Sequence, residues 1–91
     1  MKPFSVAIIT PEKTVYEGEA VSLVAPGALG FFGIWANHMP FISGLKAGTV
    51  VMKKNESETP VTFQIKQDGG FLEVLKDKVT LLIEDADVLN S

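Results

Sequence analysis

The side chains that could do acid–base or metal chemistry are few in this sequence. There is one histidine, His38, in a short segment before Pro40, and there is no cysteine. A histidine that acts as a general base needs an orienting carboxylate and a nucleophile within hydrogen-bond reach, and only acids distant in the sequence are available to His38. We interpret His38 as a structural or solvated residue. The missing thiols exclude a Cys nucleophile, a disulfide framework and a thiolate zinc site.

Three acids near the end of the sequence, Glu84, Asp85 and Asp87, could suggest a metal site. Their spacing lacks the glycine and the regular alternation of ligands found in a calcium loop. We therefore interpret them as a solvated acidic segment.

A glycine-rich segment over residues 26–33 could suggest phosphate binding. A phosphate-binding loop normally leads into a helix N-terminus and carries Lys, Ser or Thr there, whereas Ile34 and Trp35 follow here. We expect these glycines to permit sharp bends at the corners of the fold, and we expect no cofactor.

Large apolar residues are dense between positions 29 and 42. They are Leu29, Phe31, Phe32, Ile34, Trp35, Met39, Phe41 and Ile42. So many side chains cannot alternate neatly into one small core, and exposed apolar patches with aromatic and Met anchors are typical of protein interfaces. The run predicts a protein partner rather than a substrate; the alternative, that all of these residues belong to the core, stays open.

The elements that would position these residues are short strands, because apolar and polar residues alternate with period 2. The alternating runs cover residues 4–8, 21–25, 48–53, 61–65 and 79–83. Residues that favour turns separate them at 17–18, 55–60 and 68–70. Several short strands punctuated by turns indicate an all-β sandwich or barrel.

The stretch from residue 72 to residue 84 is ambiguous, because Leu72, Leu75, Val79 and Leu82 also fit a helical stripe. Against a helix, Gly69-Gly70 precede the stretch without a good N-cap, and its β-branched residues favour a strand. We predict two strands here, connected by a turn at Asp77-Lys78.

Length and charge limit the remaining possibilities. The 91 residues allow one domain, over positions 1–91, and no apolar run approaches the roughly 20 residues of a membrane-spanning helix. Eight basic and eleven acidic residues give a net charge of −3, whereas a nucleic-acid-binding protein usually has a basic excess. No apolar signal core follows Met1, so we expect the chain to be retained in the cytosol.

Several short motifs are informative through their order and spacing. From the N-terminus they read IITPEK, YEGEA, APG, GFFGI, NHMP, LKAGTV, GGFLEV and VTLL. In this order, over nearly the whole chain, they resemble the N-terminal domain of the epsilon subunit family of rotary proton-translocating ATP synthases.

The resemblance implies an all-β fold, a flattened ten-stranded β-sandwich in a single domain. It implies a non-catalytic, cofactor-free subunit of the rotating central stalk, which couples the gamma subunit to the membrane ring of c subunits and meets the alpha/beta head indirectly. It also implies a peripheral place at the cytoplasmic face of the plasma (inner) membrane in a bacterial-type complex, with no nucleic-acid partner.

The resemblance also assigns residues to two interfaces by position. A turn made of Gly30, Phe31, Phe32 and Gly33 is expected to face the c-ring. Thr10, His38 and Ser43 are expected to lie towards gamma.

The sequence departs from the family pattern in three places. Phe31 stands where the family often has an acid, so we expect an apolar contact with the ring. The proline that usually precedes the Gly/Asn-His step is replaced, which leaves Trp35-Ala36-Asn37-His38. Most members continue into a C-terminal helical hairpin that carries inhibition of hydrolysis and ATP sensing, so we expect a subunit that couples without inhibiting in that way.

Two other function classes compete with this one. A small β-barrel could bind a ligand or single-stranded nucleic acid on Phe31, Trp35 and Phe63 as stacking platforms, although the net negative charge disfavours nucleic acid. A small hydrolase would need catalytic partners for His38, and the sequence suggests none.

Overall fold

Ten β-strands form the regular structure of residues 2–36, 39–57 and 59–90, which are the residues described by the computed structural model. They are β1 (Phe4–Ile9), β2 (Thr14–Ala20), β3 (Ser22–Gly27), β4 (Gly30–Ile34), β5 (Phe41–Gly44), β6 (Gly48–Lys53), β7 (Val61–Ile65), β8 (Phe71–Leu75), β9 (Lys78–Leu82) and β10 (Ala86–Asn90). None of the described residues is helical. The prediction of an all-β, ten-stranded fold is confirmed.

The strands form two five-stranded sheets. The first sheet has the order β2-β1-β9-β8-β5, and the second has the order β10-β7-β6-β3-β4. All neighbours pair antiparallel except β1 and β9, which pair parallel. The strands at the two edges of each sheet have a hydrogen-bonded neighbour on one side only.

The core lies between the two sheets and consists of the apolar residues that alternate inward along each strand. In β7 the side chains of Val61, Phe63 and Ile65 are buried, while Thr62 and Gln64 on the other face are half-buried. Every buried side chain among the described residues is apolar. The alternation in the sequence therefore indicated which residues fill the core.

The predicted turn at Glu17-Gly18 is wrong, because both residues lie inside β2. Gly18 pairs with Val6 of β1 and has no positive φ. A Cβ at Gly18 would come within 2.8 Å of the hydroxyl oxygen of Tyr16, whose ring covers the glycine. This glycine therefore serves the packing of an aromatic ring and does not reverse the chain.

The ambiguous stretch forms two strands, β8 and β9, as predicted, but their turn lies one residue earlier than expected. Lys76 and Asp77 have φ of 51° and 59°, and Leu75 pairs with Lys78. These are the features of a two-residue hairpin turn with both central residues at positive φ. Lys78 belongs to β9, because the buried pair Val74–Val79 fixes the register.

The turn predicted at residues 68–70 is confirmed. Gly69 and Gly70 have φ of 107° and 94°, values that side chains with a Cβ rarely adopt. A Cβ at Gly70 would also lie 2.5 Å from the carbonyl oxygen of Leu82. Asp68 joins this turn to Ala47, since its Oδ1 accepts a 2.9 Å hydrogen bond from the Ala47 N–H.

Candidate protein-binding surfaces

The segment predicted to be a turn at Gly30–Gly33 is a strand at the edge of the second sheet. The reversal of the chain occurs two residues earlier, at Ala28-Leu29, between the paired residues Gly27 and Gly30. The expectation of a turn is therefore wrong. The segment forms a strand because Phe32 and Ile34 point towards the core at alternate positions and pair with β3.

The β4 edge, meaning Ala28-Leu29 and β4 itself, presents large apolar side chains to solvent. Leu29 is fully exposed and Phe31 is 69% exposed. Phe32 is half-buried and packs edge-to-face on Phe41 with ring centroids 5.3 Å apart. Ile34 is in the core.

The apolar run over residues 29–42 therefore divides between surface and core. Its exposed members are Leu29, Phe31, Trp35, Met39, Phe41 and Ile42. The interpretation that some of these side chains reach the surface is confirmed, and the alternative that all are core residues is wrong.

A second exposed apolar surface lies on the outer face of the first sheet. The outer apolar face, as we call it, consists of Ile9, Ile42, Phe71, Leu75 and Leu82. Ile9, Leu82 and Phe71 follow one another across β1, β9 and β8 in register. All but the half-buried Ile9 are at least 49% exposed. Glu73 and Thr80 lie on the same face between Phe71 and Leu75, so the contiguous apolar part is the row of Ile9, Leu82 and Phe71. Neighbouring exposed apolar side chains on a sheet mark an interaction surface.

The sequence held a signal for the outer apolar face that the prediction missed. In β8, Leu72 and Val74 point to the core, yet Phe71 and Leu75 on the opposite face are also large and apolar. Apolar residues on both faces of a strand indicate that both faces are covered. The competing helical pattern of this stretch obscured the point.

Thr10 lies at the end of β1, beside the outer apolar face. Its hydroxyl donates to the Lys13 carbonyl at 3.1 Å and accepts from the Lys13 N–H at 3.3 Å, which closes the β1–β2 turn. Thr10 also borders a cleft of about 770 Å³ whose apolar wall includes Ile9, Phe71 and Leu82. The structure thus brings Thr10 next to exposed apolar residues.

Ser43 lies in the edge strand β5, half-buried and opposite Leu72 of β8. Its hydroxyl donates to the carbonyl of Gly44 at 2.9 Å, and Gly44 is paired with Phe71 of the outer apolar face. Thr10 and Ser43 therefore lie towards the same end of the first sheet, but Ser43 is on its inner side, as is its partner Leu72. His38 lies outside the described residues, so its assignment to gamma stays a prediction.

The acidic segment is paired with a lysine. Lys66 Nζ lies 2.9 Å from Asp87 and 3.9 Å from Asp85. The hydrogen bond with Asp87, followed by the charges of Asp85 and Asp87, raises the pKa of Lys66. Within residues 2–36, 39–57 and 59–90 no group of three or more His, Cys, Asp and Glu side chains could hold a metal ion.

Residues 3–88 match the family model of the ATP synthase Delta/Epsilon chain, beta-sandwich domain. The chain belongs to this family. It is 41% identical over 88 residues to the ATP synthase epsilon chain of Brevibacillus brevis, covering 97% of this chain and 64% of that relative. It is 40% identical over 84 residues to the ATP synthase epsilon chain of Chlorobium limicola, covering 92% of each.

Solved structures support the fold of this epsilon-family chain. Euglena gracilis mitochondrial ATP synthase (OSCP/F1/c-ring) contains a chain that matches with a TM-score of 0.81 at 17% identity, over 92% of this chain and 52% of that one. The central stalk/c-ring structure of the Tetrahymena thermophila mitochondrial ATP synthase gives 0.73 at 16% identity, over 91% and 64%. The chain spans about three fifths of the length of most such relatives, the C. limicola chain being an exception.

The structure contradicts the competing interpretation that the chain is a small β-barrel with Phe63 as a stacking platform. Phe63 is 1% exposed, so it cannot serve as a stacking platform for a base. The strands form two separate sheets and not a barrel. Within the described residues there is no helix that could span a membrane.

Proposed function

We propose that this chain is a non-catalytic rotor subunit of a proton-translocating ATP synthase, in which it joins the gamma subunit to the ring of c subunits. The observation that carries the proposal is that one rigid sandwich has two separate exposed apolar surfaces. A coupling subunit needs two such surfaces, because it must hold two partners at once and transmit torque between them. The alpha/beta head is then reached through gamma, and the chain sits peripherally at the membrane, on its cytoplasmic face in a bacterial cell.

The outer apolar face is the proposed contact with gamma. Phe71, Leu75 and Leu82 offer apolar side chains on a sheet that is rigid because each of their strands has neighbours on both sides. Large apolar anchors near the centre of a patch contribute most of the energy of a protein interface. Thr10 at the end of this face supplies a polar rim, as interfaces usually have.

The β4 edge is the proposed contact with the c-ring. Leu29 and Phe31 project from the tip and the outer side of the β3–β4 hairpin, and Lys46 is the charged side chain among the described residues that border the adjacent cleft. The contact is therefore apolar at its centre. We assign only coupling to these two surfaces, and none of the inhibition of ATP hydrolysis that the family resemblance attributes to a helical hairpin.

Gel filtration of the purified chain mixed with gamma tests the first contact. We expect a stable complex with the native chain, and we expect Leu82→Glu to abolish it, because the substitution puts a charge between Ile9 and Phe71, in the row where three apolar side chains of the outer apolar face are neighbours. The matched control is Leu89→Glu in β10, which places the same charge at a leucine of similar exposure on the other sheet. The control is expected to bind gamma normally.

Two results would contradict the proposal. One is the absence of any complex with the native chain, even when the full catalytic head is present. The other is equal loss of gamma binding in Leu82→Glu and Leu89→Glu, which would show that charge alone, and not the outer apolar face, determines binding.

A further inference from the structure

β4 has an unpaired backbone edge with a definite pattern of hydrogen-bonding groups. Among the described strands its one neighbour is β3, where Pro26 pairs with Phe31 and Val24 pairs with Gly33. Pro26 has no N–H, and its carbonyl accepts a 2.9 Å hydrogen bond from the Lys46 N–H. The Pro26–Phe31 pair therefore cannot exchange two hydrogen bonds.

Hydrogen-bonded and non-hydrogen-bonded pairs alternate along an antiparallel ladder. Because the register of β3 with β4 is regular, the pair Val24–Gly33 is also of the non-hydrogen-bonded kind. The N–H and C=O groups of Phe31 and Gly33 therefore point away from β3. Among the described residues, no hydrogen bond satisfies these outward groups.

The other edge strands carry features that discourage pairing with a second sheet. β2 has Glu17 and Glu19 and an irregularity in its pairing with β1. β10 has Asp87 and an irregular register with β7, and β5 has four residues and follows Pro40. Charges, bulges, prolines and short length are the usual protections of a sheet edge.

β4 has none of these protections. Its sequence Gly30–Ile34 contains no charge and no proline, and no charged residue occurs from position 26 to position 36. Its pairing with β3 contains no bulge. A regular, uncharged and apolar edge with free backbone groups is a template for another strand.

We propose that the free chain forms a dimer in which β4 pairs antiparallel with β4 of a second copy, centred on Phe32. In that register Phe31 of each copy lies opposite Gly33 of the other, so the outward groups meet in two hydrogen-bonded pairs. The pattern is self-complementary, because Phe31 and Gly33 are equally spaced about Phe32. The strand carries no charge, so two copies approach along β4 without repulsion between like charges.

The side chains on the outer face fit the same register. Gly33 leaves room opposite Phe31, and the Trp35 ring already lies over that glycine, since a Cβ there would come within 2.8 Å of the indole. Each Phe31 ring would therefore meet the Trp35 indole of the other copy, and aromatic pairs across strands stabilise sheet pairing.

The dimer goes beyond the proposed function and has a consequence for it. It covers the β4 edge, which is the surface proposed to meet the c-ring. A chain paired through β4 must dissociate before it can join the rotor, so self-association and attachment to the ring are mutually exclusive.

Analytical ultracentrifugation over a range of chain concentrations tests this dimer. We expect a reversible monomer–dimer equilibrium for the native chain and a weaker one for Gly33→Ala, because the added Cβ displaces the Trp35 indole from its place over residue 33. Relative to Gly33→Ala, we expect Gly33→Pro to raise the dissociation constant at least about tenfold, because each dimer loses two edge hydrogen bonds. The Ala variant is the matched control, since it adds a Cβ at the same place but keeps the N–H.

Amide hydrogen exchange of the native chain gives a second readout that needs no variant to fold. The Phe31 and Gly33 amides are expected to exchange more slowly as the chain concentration rises, while the inward-paired Phe32 amide is protected at every concentration. A chain that stays monomeric at millimolar concentration would overturn the proposal. So would a dimer whose Phe31 and Gly33 amides remain unprotected, and neither result would bear on the binding of gamma.

Discussion

β4 and β7 are both five-residue, largely apolar strands of the same sheet, yet they differ in the exposure of their aromatic side chains. Phe63 in β7 is 1% exposed, whereas Phe31 in β4 is 69% exposed. β7 lies between β6 and β10, while β4 lies at the edge of the sheet formed by the described residues and pairs with β3. Burial of an aromatic side chain is therefore decided here by the place of the strand and the face of the residue, and not by how apolar the strand is.

The polar residues distinguish the two strands in the sequence. In β7, Thr62 and Gln64 alternate with the core residues, and Gln64 Oε1 accepts a 3.1 Å hydrogen bond from the Thr49 hydroxyl on the neighbouring strand. In β4 the positions on the outer face are Phe31 and Gly33, neither of which offers a polar side chain to water. Alternation with polar residues marks a solvated outer face, and its absence marks a face that binds something.

Of the substitutions that test this comparison, Phe63→Ala is expected to have the largest effect, which is on the free energy of unfolding. Removing a fully buried phenylalanine should lower the free energy of unfolding by about 3–5 kcal/mol, because both the transfer energy of the ring and the cavity left behind count against the fold. Urea unfolding of the variant and the native chain measures the difference. A loss below about 1 kcal/mol would contradict the assignment of Phe63 to the centre of the core.

Phe31→Glu is expected to act on binding and not on folding. The exposed ring contributes little to the sandwich, so the free energy of unfolding should change by less than about 0.5 kcal/mol. Attachment to the purified c-ring should weaken by about 2 kcal/mol or more, as for the loss of an aromatic anchor. Leu89→Glu controls for the added charge.

An effect of Phe31→Glu on folding and not on binding would contradict the distinction between a buried aromatic in β7 and an exposed, binding aromatic in β4. If Phe31→Glu lowers stability while binding to the ring is unchanged, then Phe31 acts as a core residue and the β4 edge is not the ring contact. Sedimentation of the same variant also shows whether it prevents dimer formation, as we expect if both contacts use Phe31.

Much of the fold could be predicted from the sequence, because alternation and turn residues are features of residues that are close together in the chain. Alternation located β7 and the other core strands, and Gly69-Gly70 marked a turn that requires positive φ. Gly18 and Gly30 misled the prediction, because one glycine makes room for the Tyr16 ring and the other begins an edge strand. Those roles depend on neighbours that are distant in the chain, and local pattern does not reveal them.

The binding surfaces were predictable only in part for the same reason. The density of apolar residues over 29–42 indicated an interface, and Phe31 is indeed exposed. The outer apolar face combines residues from β1, β5, β8 and β9 and exists only after those strands have paired. Such a surface follows from topology, which a single sequence leaves undetermined.

The smallest expected effect concerns the hydroxyl of Tyr16. The Tyr16 ring packs edge-to-face on Phe63 with centroids 5.7 Å apart. Its hydroxyl donates a hydrogen bond to the Glu19 carbonyl at 3.2 Å. Burial, and then the charge of Glu19, raise the pKa of Tyr16 above its usual value of 10.0. A raised pKa means that the folded state disfavours the phenolate, so this contribution to stability is complete below about pH 10 and declines as the pH rises towards and through the folded-state pKa.

Tyr16→Phe has no phenolate and cannot show this decline. We therefore expect the stability advantage of the native chain over Tyr16→Phe to shrink as the pH rises above about 10. Urea unfolding at several pH values measures that difference, and parallel curves would contradict the raised pKa.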